Sequence, residues 1–393
     1  TAFYCIHRNR KIPLFVGKRF SFASLCYGIT LLLAGAIHDI YLKTGFEYWT
    51  AFSALLCGIT LYLAGTSGVL LQWNQTKIIR LGIIPTTILF IILNIITDFS
   101  LHKGYGFIIF PLLIIIGIYA VYKNDKEKII DSSAIQIIFT IGITYIFTWQ
   151  TIKIFKFLIE SNDKFFNNSL YGVIPTAVLG IILLNRNSKK WPINNHKICY
   201  NIYIPMILCA LIGLWSICIN MVAPKISVIP YIPIFNFCDI GHIIFIICLW
   251  VCYKHLLKDY LILKNEQIYS SLFAIIFVLI NFVLFRSLYI YFGVPYSAKG
   301  IYNSNIAQSS MSVIWGIIGM GIMILSAKKS WRSVWICGAG IITILVVKLF
   351  IIDTSGIGTI ARIVTFITVG IVLLITGYFA PVPPSSNNTC KSE

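Results

Sequence analysis

The amino-acid sequence predicts an all-α integral membrane protein with about twelve transmembrane helices. Hydrophobic residues make up 58% of the 393 residues and charged residues 11%, whereas a soluble domain carries about 25% charged residues. The apolar residues are gathered into stretches close to the roughly 20 residues that a helix needs to cross a bilayer. These stretches are continuous and lack the alternation of apolar and polar residues that is typical of barrel strands, which favours helices.

Residues 21–380 hold the predicted spans, which follow one another with short polar gaps. In chain order the spans are predicted at 21–37, 48–71, 78–96, 106–122, 129–147, 170–184, 200–222, 234–251, 270–289, 309–327, 333–352 and 357–379. The gap at 149–169 carries three lysines and is interpreted as an interfacial amphipathic helix. Residues 1–20 form a basic segment that resembles an interior loop of a longer protein or a processed start, and residues 381–393 form a short tail.

Positive charge is distributed unevenly between the two sides of the predicted bundle. Two thirds of the 31 Lys and Arg residues fall in the N-terminal segment, in alternate gaps and in the tail. The positive-inside rule puts that side in the cytoplasm, so both termini are predicted to be cytoplasmic, as an even number of spans requires. This distribution accounts for the net charge of +18 without a nucleic-acid partner. Membrane lipids are the expected partners, and protein partners are left open.

Polar residues at the outer ends of the spans are the candidates for a functional site, because ionisable groups inside a membrane are expensive and usually functional. Asp239 and His242 are three residues apart, so they share a helix face and could form a proton-transfer or ligand pair. The alternative is a helix cap followed by a hydrogen-bonded histidine. Together the candidates are Asn236, Asp239, His242, Arg286, Lys348, Asp353 and Arg362.

The cationic candidates have two interpretations. In the first, they face a small anionic or lipid-linked ligand, with Lys348 and Arg362 binding a carboxylate or phosphate and Asp353 orienting them. In the second, Lys348 extends to the membrane interface, Asp353 caps a helix and Arg286 is an interfacial anchor. No C-x-x-C pair is present, so the cysteines are interpreted as packing residues, and neither a metal nor another cofactor is expected.

The C-terminal quarter of the chain carries four segments that match a known family in order and spacing. They are QSSMSVIWGIIGMGIMILSAKKSWRSVW (308–335), VVKLFIID (346–353), ARIVTFITVG (361–370) and GYFAPVPP (377–384). Together they resemble the bacterial membrane-protein family called domain of unknown function 2339, in its proteobacterial form. A further segment, YIPIFNFCD (231–239), is similar to a motif of that family, with Phe237 where the family has proline. The resemblance implies a multi-pass protein of the bacterial inner membrane and no particular activity.

Three functions are compatible with these features. The first is a transporter-like protein with an outward-facing polar or anion site, which many spans and short loops favour. The second is a structural or assembly partner in the membrane, favoured by long apolar spans and by a set of small packing residues: Gly316, Gly319, Gly321, Gly338 and Gly340. The third is a membrane-embedded enzyme acting on an envelope glycan or lipid intermediate, with Asp39, Asp98 and Asp239 as base or metal ligands.

Overall fold

The computed structural model describes residues 14–44, 46–70, 74–96, 106–129, 131–159, 164–224, 230–254, 265–328 and 331–349, with scattered residues between 363 and 378. Within these residues every regular element is a helix and no strand occurs, which confirms the predicted all-α class. The chain divides into two compact units. Unit 1 comprises Thr1–Leu158 with Leu184–Ile204, and unit 2 comprises Ile159–Leu183 with Pro205–Glu393.

Unit 1 is built around its second helix. Its helices are α1 (Leu14–Thr44), α2 (Phe46–Leu70), a 3₁₀ helix (Asn74–Gly82), α3 (Ile83–Ile96), α4 (Gly106–Glu127) and α5 (Ser133–Ile159). The core joins α2, α3 and α4 through buried apolar side chains such as Cys57, Phe90 and Leu113. At Gly65 a Cβ atom would lie 2.0 Å from Cγ of Arg80, so glycine lets the 3₁₀ helix lie directly against α2.

Unit 2 contains the remaining helices. They are α6 (Lys164–Leu184), α7 (Ile204–Asn220), α8 (Phe237–Cys252), α9 (Asn265–Phe292), the short α10 (Ala298–Asn303), α11 (Asn305–Lys328) and α12 (Arg332–Lys348). A π-helical turn at the end of unit 1, Cys199–Tyr203, leads into α7. Apolar clusters between α11 and α12, centred on Met323 and Ile342, form part of the core of this unit.

Eight of the described helices are long and apolar enough to cross a membrane, and two shorter apolar helices, Phe237–Cys252 and Val334–Lys348, accompany them. The chain is therefore a multi-pass helical membrane protein. The predicted number of about twelve spans and the cytoplasmic position of both termini go beyond this count and stay predictions.

The interpretation of residues 149–169 as a separate interfacial helix is wrong. Helix α5 continues without interruption to Ile159, and α6 begins at Lys164. The sequence from Phe147 to Ile159 contains neither proline nor glycine, so the helix continues beyond the predicted apolar span. The amine of Lys153 lies 5.5 Å from the centre of the Trp149 ring. This cation–π contact joins two residues one turn apart on the same continuous helix.

Two of the five glycines that the sequence predicted to pack closely bring α11 and α12 together. A Cβ at Gly319 would lie 2.7 Å from Cδ1 of Ile342, and a Cβ at Gly338 would lie 2.8 Å from Cγ of Met323. At Gly321 and Gly340 nothing lies within 4 Å of the same atom. Only the first two therefore require glycine for close helix packing.

This difference gives a matched test of the packing between α11 and α12. Gly338→Ala is expected to destabilise the protein by about 1–3 kcal/mol, because the added methyl group overpacks the interface. Gly340→Ala, two residues along the same helix, is expected to change the stability by less than about 0.5 kcal/mol. Thermal unfolding in detergent micelles measures both, and equal transition temperatures for the two variants would refute the packing role.

Candidate functional site

The N-terminal end of α8 is organised by Asn236. Its side-chain oxygen accepts a hydrogen bond from the backbone amide of Asp239 at 3.0 Å, as an N-cap residue does. Its side-chain nitrogen donates to the Ile232 carbonyl at 3.0 Å and to the Asp239 carboxylate at 2.5 Å. Asn236 therefore starts the helix and also orients Asp239, which is 3% exposed.

The loop before α8 adds a strained donor to the same carboxylate. Ile234 has a φ of 70°, a left-handed conformation that β-branched residues rarely adopt. Its backbone amide donates to Oδ2 of Asp239 at 3.0 Å. Strain of this kind persists where surrounding contacts hold it and is frequent at functional sites, which marks this turn as a candidate site.

Arg286 of α9 is the partner of Asp239. Its Nη2 forms an ion pair with Oδ1 of Asp239, and its Nη1 donates to the side-chain oxygen of Asn220, the last residue of α7. Its Nε lies 3.4 Å from the hydroxyl of Tyr231. The arginine is 0% exposed, so the interpretation as an interfacial anchor is wrong. Removing a partner would leave a buried charge uncompensated, which is strongly unfavourable.

His242 lies one turn after Cys238 and faces α7. Its Nδ1 is 2.8 Å from the Cys238 carbonyl, and its Nε2 is 2.9 Å from the Ser216 hydroxyl and 3.4 Å from Nδ2 of Asn220. A carbonyl accepts only, so the hydrogen-bond pattern assigns the proton to Nδ1 and makes Nε2 the acceptor. The ring stacks on Trp215 with 4.9 Å between centroids. His242 therefore connects to Arg286 through their shared neighbour, Asn220.

Two tyrosines in the connecting loops lie at the edge of this cluster. The Tyr296 hydroxyl donates to the Asn220 carbonyl at 2.6 Å, and Tyr231 contacts Arg286. Burial raises the pKa of the Tyr231 hydroxyl, and it raises the pKa of Tyr296 to about 12, partly offset by the positive charge of Arg286. Both hydroxyls therefore keep their protons at neutral pH, and the Tyr296 proton is already donated to Asn220.

A metal ion is a second chemical option for these residues. The ligand atoms of Cys238, Asp239 and His242 lie within 4.8 Å of one another. However, both carboxylate oxygens of Asp239 and both ring nitrogens of His242 already have protein partners. The adjacent guanidinium of Arg286 would also repel a cation. The arrangement therefore favours an internal ion pair over a metal centre.

The structure brings four of the seven predicted candidates together, namely Asn236, Asp239, His242 and Arg286. Lys348, also in unit 2, has other partners: it is 7% exposed, and its amine donates to the Gln308 carbonyl at 2.9 Å and the Ser312 hydroxyl at 2.7 Å. It does not extend to the interface as the second interpretation predicted. Asp353 and Arg362 lie outside the described residues.

The sequence analysis did not single out Ser216, Asn220, Tyr231 or Tyr296. Asn220 could have been recognised from the sequence, because it is the only amide in the mainly apolar run from Ile204 to Val222. Tyr231 and Tyr296 could not have been recognised from the sequence, because tyrosines near the membrane interface are common in membrane proteins.

A second polar cluster in unit 1 was also missed. Nε2 of His196 lies 2.8 Å from Oδ2 of Asp125 and 3.2 Å from the Ser132 hydroxyl, and the indole of Trp191 donates to the same carboxylate oxygen at 2.8 Å. Ser132 also donates to the other oxygen of Asp125. Asp125 and Ser132 both contact Nε2, and the Ser133 hydroxyl, which lies 3.4 Å from Nδ1, donates to Asp131 at 2.6 Å. Neither serine therefore donates to the ring nitrogen opposite Asp125, which a serine-hydrolase triad requires. The cluster ties the loop after α6 to the turn between α4 and α5.

The multi-pass helical fold and the buried ion pair define the class of this protein: a polytopic α-helical membrane protein. The chain belongs to the family described as predicted membrane protein (DUF2339), whose family model matches residues 3–383. The match covers nearly the whole chain and extends far beyond the C-terminal segments that carried the resemblance. No curated protein and no solved structure matches the chain.

Proposed function

We propose that this protein is a carrier for small organic or inorganic anions, and that the Asp239–Arg286 pair closes its anion site in unit 2. The observation that supports this proposal is the fully buried Arg286, which is bonded to Asp239, Asn220 and Tyr231. A buried arginine between apolar helices is expensive and is a functional candidate by default. In this cluster it is held by groups that a solute carboxylate or phosphate could replace.

Charge balance suggests how a solute anion would take the place of the Asp239 carboxylate at Arg286. A guanidinium binds a carboxylate of the protein and one of a solute with the same donors. If Asp239 takes up a proton, its attraction for Arg286 falls and a solute anion can take its place. The cluster then holds one positive and one negative charge in both states, which avoids an uncompensated charge in a medium of low dielectric constant. The proposal therefore couples one proton to each anion that is carried, because the cluster has one carboxylate that the anion replaces.

The neighbouring side chains suggest a route for this coupling. Asn220 bonds Arg286 through its side-chain oxygen and approaches His242 through its side-chain nitrogen. Any movement of the guanidinium must therefore disturb the hydrogen bonds of His242 to α7. The Tyr296 hydroxyl donates to the Asn220 backbone, which connects the same residue to the loop before α10.

A second candidate function is that of an assembly partner, and one observation favours it. The ion pair and its hydrogen bonds join α7, α8 and α9, and in some proteins buried polar groups serve to fix one arrangement of helices. The enzyme hypothesis gains no such observation. Asp39 is exposed in unit 1, Asp98 lies outside the described residues, and the Asp239 carboxylate is engaged by Arg286.

Proteoliposomes containing the purified chain and an internal pH-sensitive dye test the carrier proposal. Phosphate, succinate and citrate are added outside at acidic pH, and an anion-dependent acidification of the interior is expected for at least one of them. Arg286→Gln is expected to abolish it, and Asp239→Asn is expected to uncouple anion entry from proton entry. Lys299→Gln, an exposed cation in α10, is the matched control and is expected to behave as the wild type.

Two outcomes would reject the carrier. One is the absence of anion-dependent proton entry for all three probes with the wild-type protein. The other is a flux that the Asp239→Asn/Arg286→Gln double variant retains in full. If the variants change only the stability of the protein, the assembly function is favoured.

A further inference from the structure

We propose that unit 1 binds one molecule of an anionic phospholipid, with an acyl chain in an apolar cavity and the phosphate against the cationic side of the 3₁₀ helix at Lys77. This site lies in the other unit from the Asp239–Arg286 pair and does not depend on the carrier proposal.

The cavity has a volume of about 580 Å³ and lies among α1, α2, the 3₁₀ helix, α3 and α5. Its walls are almost entirely hydrocarbon, from side chains that include Phe22, Leu33, Leu61, Ile79, Ile84 and Ile138. Thr30 and Thr86 also line it, but their hydroxyls already donate to the backbone carbonyls of Tyr27 and Gly82 at 2.7 Å and 2.8 Å. Neither hydroxyl has a proton left for a polar ligand, so the lining selects a hydrocarbon chain.

The size and position of the cavity fit an acyl chain of a lipid from the bilayer. An apolar cavity of roughly 150 Å³ stays dry and holds one benzene molecule, and this cavity has nearly four times that volume. Ile78 and Ile138 both line it and are 37% and 60% exposed, so the cavity opens at the surface of the unit. In a helical membrane protein the medium at such a surface is lipid, which can enter sideways without crossing water.

The charge beside the cavity selects the headgroup. Residues 77 and 80 lie on one side of the 3₁₀ helix, since residues three apart eclipse one another in this helix, and their neighbours 78, 79, 81 and 82 line the cavity. Lys77 and Arg80 share one carboxylate, that of Glu127, at 3.8 Å and 3.0 Å. Two cations on one anion leave an excess of positive charge, which attracts an anionic lipid.

The guanidinium of Arg80 adds an independent sign that a hydrogen-bond acceptor is missing beside the 3₁₀ helix. Arg80 is 1% exposed, and its Nη1 is buried without a hydrogen-bond acceptor. A buried donor without an acceptor is rare and unfavourable. A phosphate oxygen bound at Lys77 would supply further negative charge on this side of the helix.

Native mass spectrometry of the full chain in detergent micelles tests the headgroup. The protein is incubated with equal amounts of phosphatidylglycerol and phosphatidylcholine that have the same chains. The wild type is expected to retain mainly one phosphatidylglycerol. Lys77→Gln is expected to reduce this retention about fivefold, because one surface cation contributes about 1 kcal/mol to anionic lipid binding. Lys43→Gln, an exposed lysine in the last turn of α1, is the control and is expected to retain the lipid.

A cavity-filling variant tests whether an acyl chain of the lipid occupies the cavity. Thr30→Phe places a ring in the cavity and is expected to remove both lipids. Thr66→Phe is the matched control, since the Thr66 hydroxyl likewise donates to the carbonyl three residues earlier and Thr66 does not line the cavity. Thr86→Phe fills the cavity from α3 and is used if Thr30→Phe lowers the unfolding temperature.

Three results would overturn the site. They are equal retention of the two lipids by the wild type, unchanged lipid in a folded cavity-filling variant, and retention of detergent in place of phospholipid.

Discussion

Replacing Arg286 with glutamine is expected to lower the free energy of unfolding by about 3–5 kcal/mol, the range measured when one partner of a buried ion pair is removed. The substitution leaves the Asp239 carboxylate 3% exposed and without its cation. It also removes the donor to Asn220 and weakens the contact between α7, α8 and α9. Thermal and chemical unfolding of the detergent-solubilised protein measure the loss.

The double variant Asp239→Asn/Arg286→Gln distinguishes a charge effect from a packing effect. It removes both charges and keeps the approximate size of both side chains. Replacing both partners of a buried pair is far less unfavourable than replacing one, so the double variant is expected to recover most of the stability. Lys299→Gln controls for the loss of a positive charge at an exposed position. A double variant as unstable as Arg286→Gln would contradict the ion-pair explanation.

Local features of the Asp239 site could be predicted from the sequence, and its long-range pairing could not. The spacing of Asp239 and His242 gives their shared helix face, and one of the two interpretations of this pair was a helix cap followed by a hydrogen-bonded histidine. The partner of Asp239 is Arg286, 47 residues away. Sequence spacing reports the faces of one helix and carries no information on which helices pack together, so the two residues appeared only as separate candidates.

Sequence spacing also could not show which glycines pack between helices or that the polar cluster of unit 1 would form, because both depend on which elements lie against each other. Gly319 and Gly321 have the same composition signal, but only Gly319 faces the neighbouring helix, and the facing side depends on how α11 and α12 cross. Asp125 and His196 lie 71 residues apart among exposed lysines. Their surroundings predicted solvated loops, whereas both side chains are largely buried.

Gly172 of α6 supports the Asp239 site without belonging to it. A Cβ atom at this position would lie 2.1 Å from the Trp215 ring, a distance that no real pair of atoms tolerates. Trp215 cannot move freely, because its indole donates to the Asn168 carbonyl at 2.8 Å and its ring stacks on His242. The lack of a side chain at Gly172 therefore allows Trp215 to occupy the position in which it stacks on His242.

Gly172→Ala is accordingly expected to destabilise the protein by about 1–3 kcal/mol, as overpacking of a dense interior does. Because the displaced indole moves away from His242, proton-coupled anion entry is also expected to fall, although residue 172 touches neither Asp239 nor Arg286. Gly213→Ala in α7, where nothing lies within 4 Å of the new atom, is expected to stay within about 0.5 kcal/mol of the wild type. Unfolding temperatures and the proteoliposome assay compare the two variants. If Gly172→Ala matches Gly213→Ala in both measurements, the packing of Trp215 does not position His242.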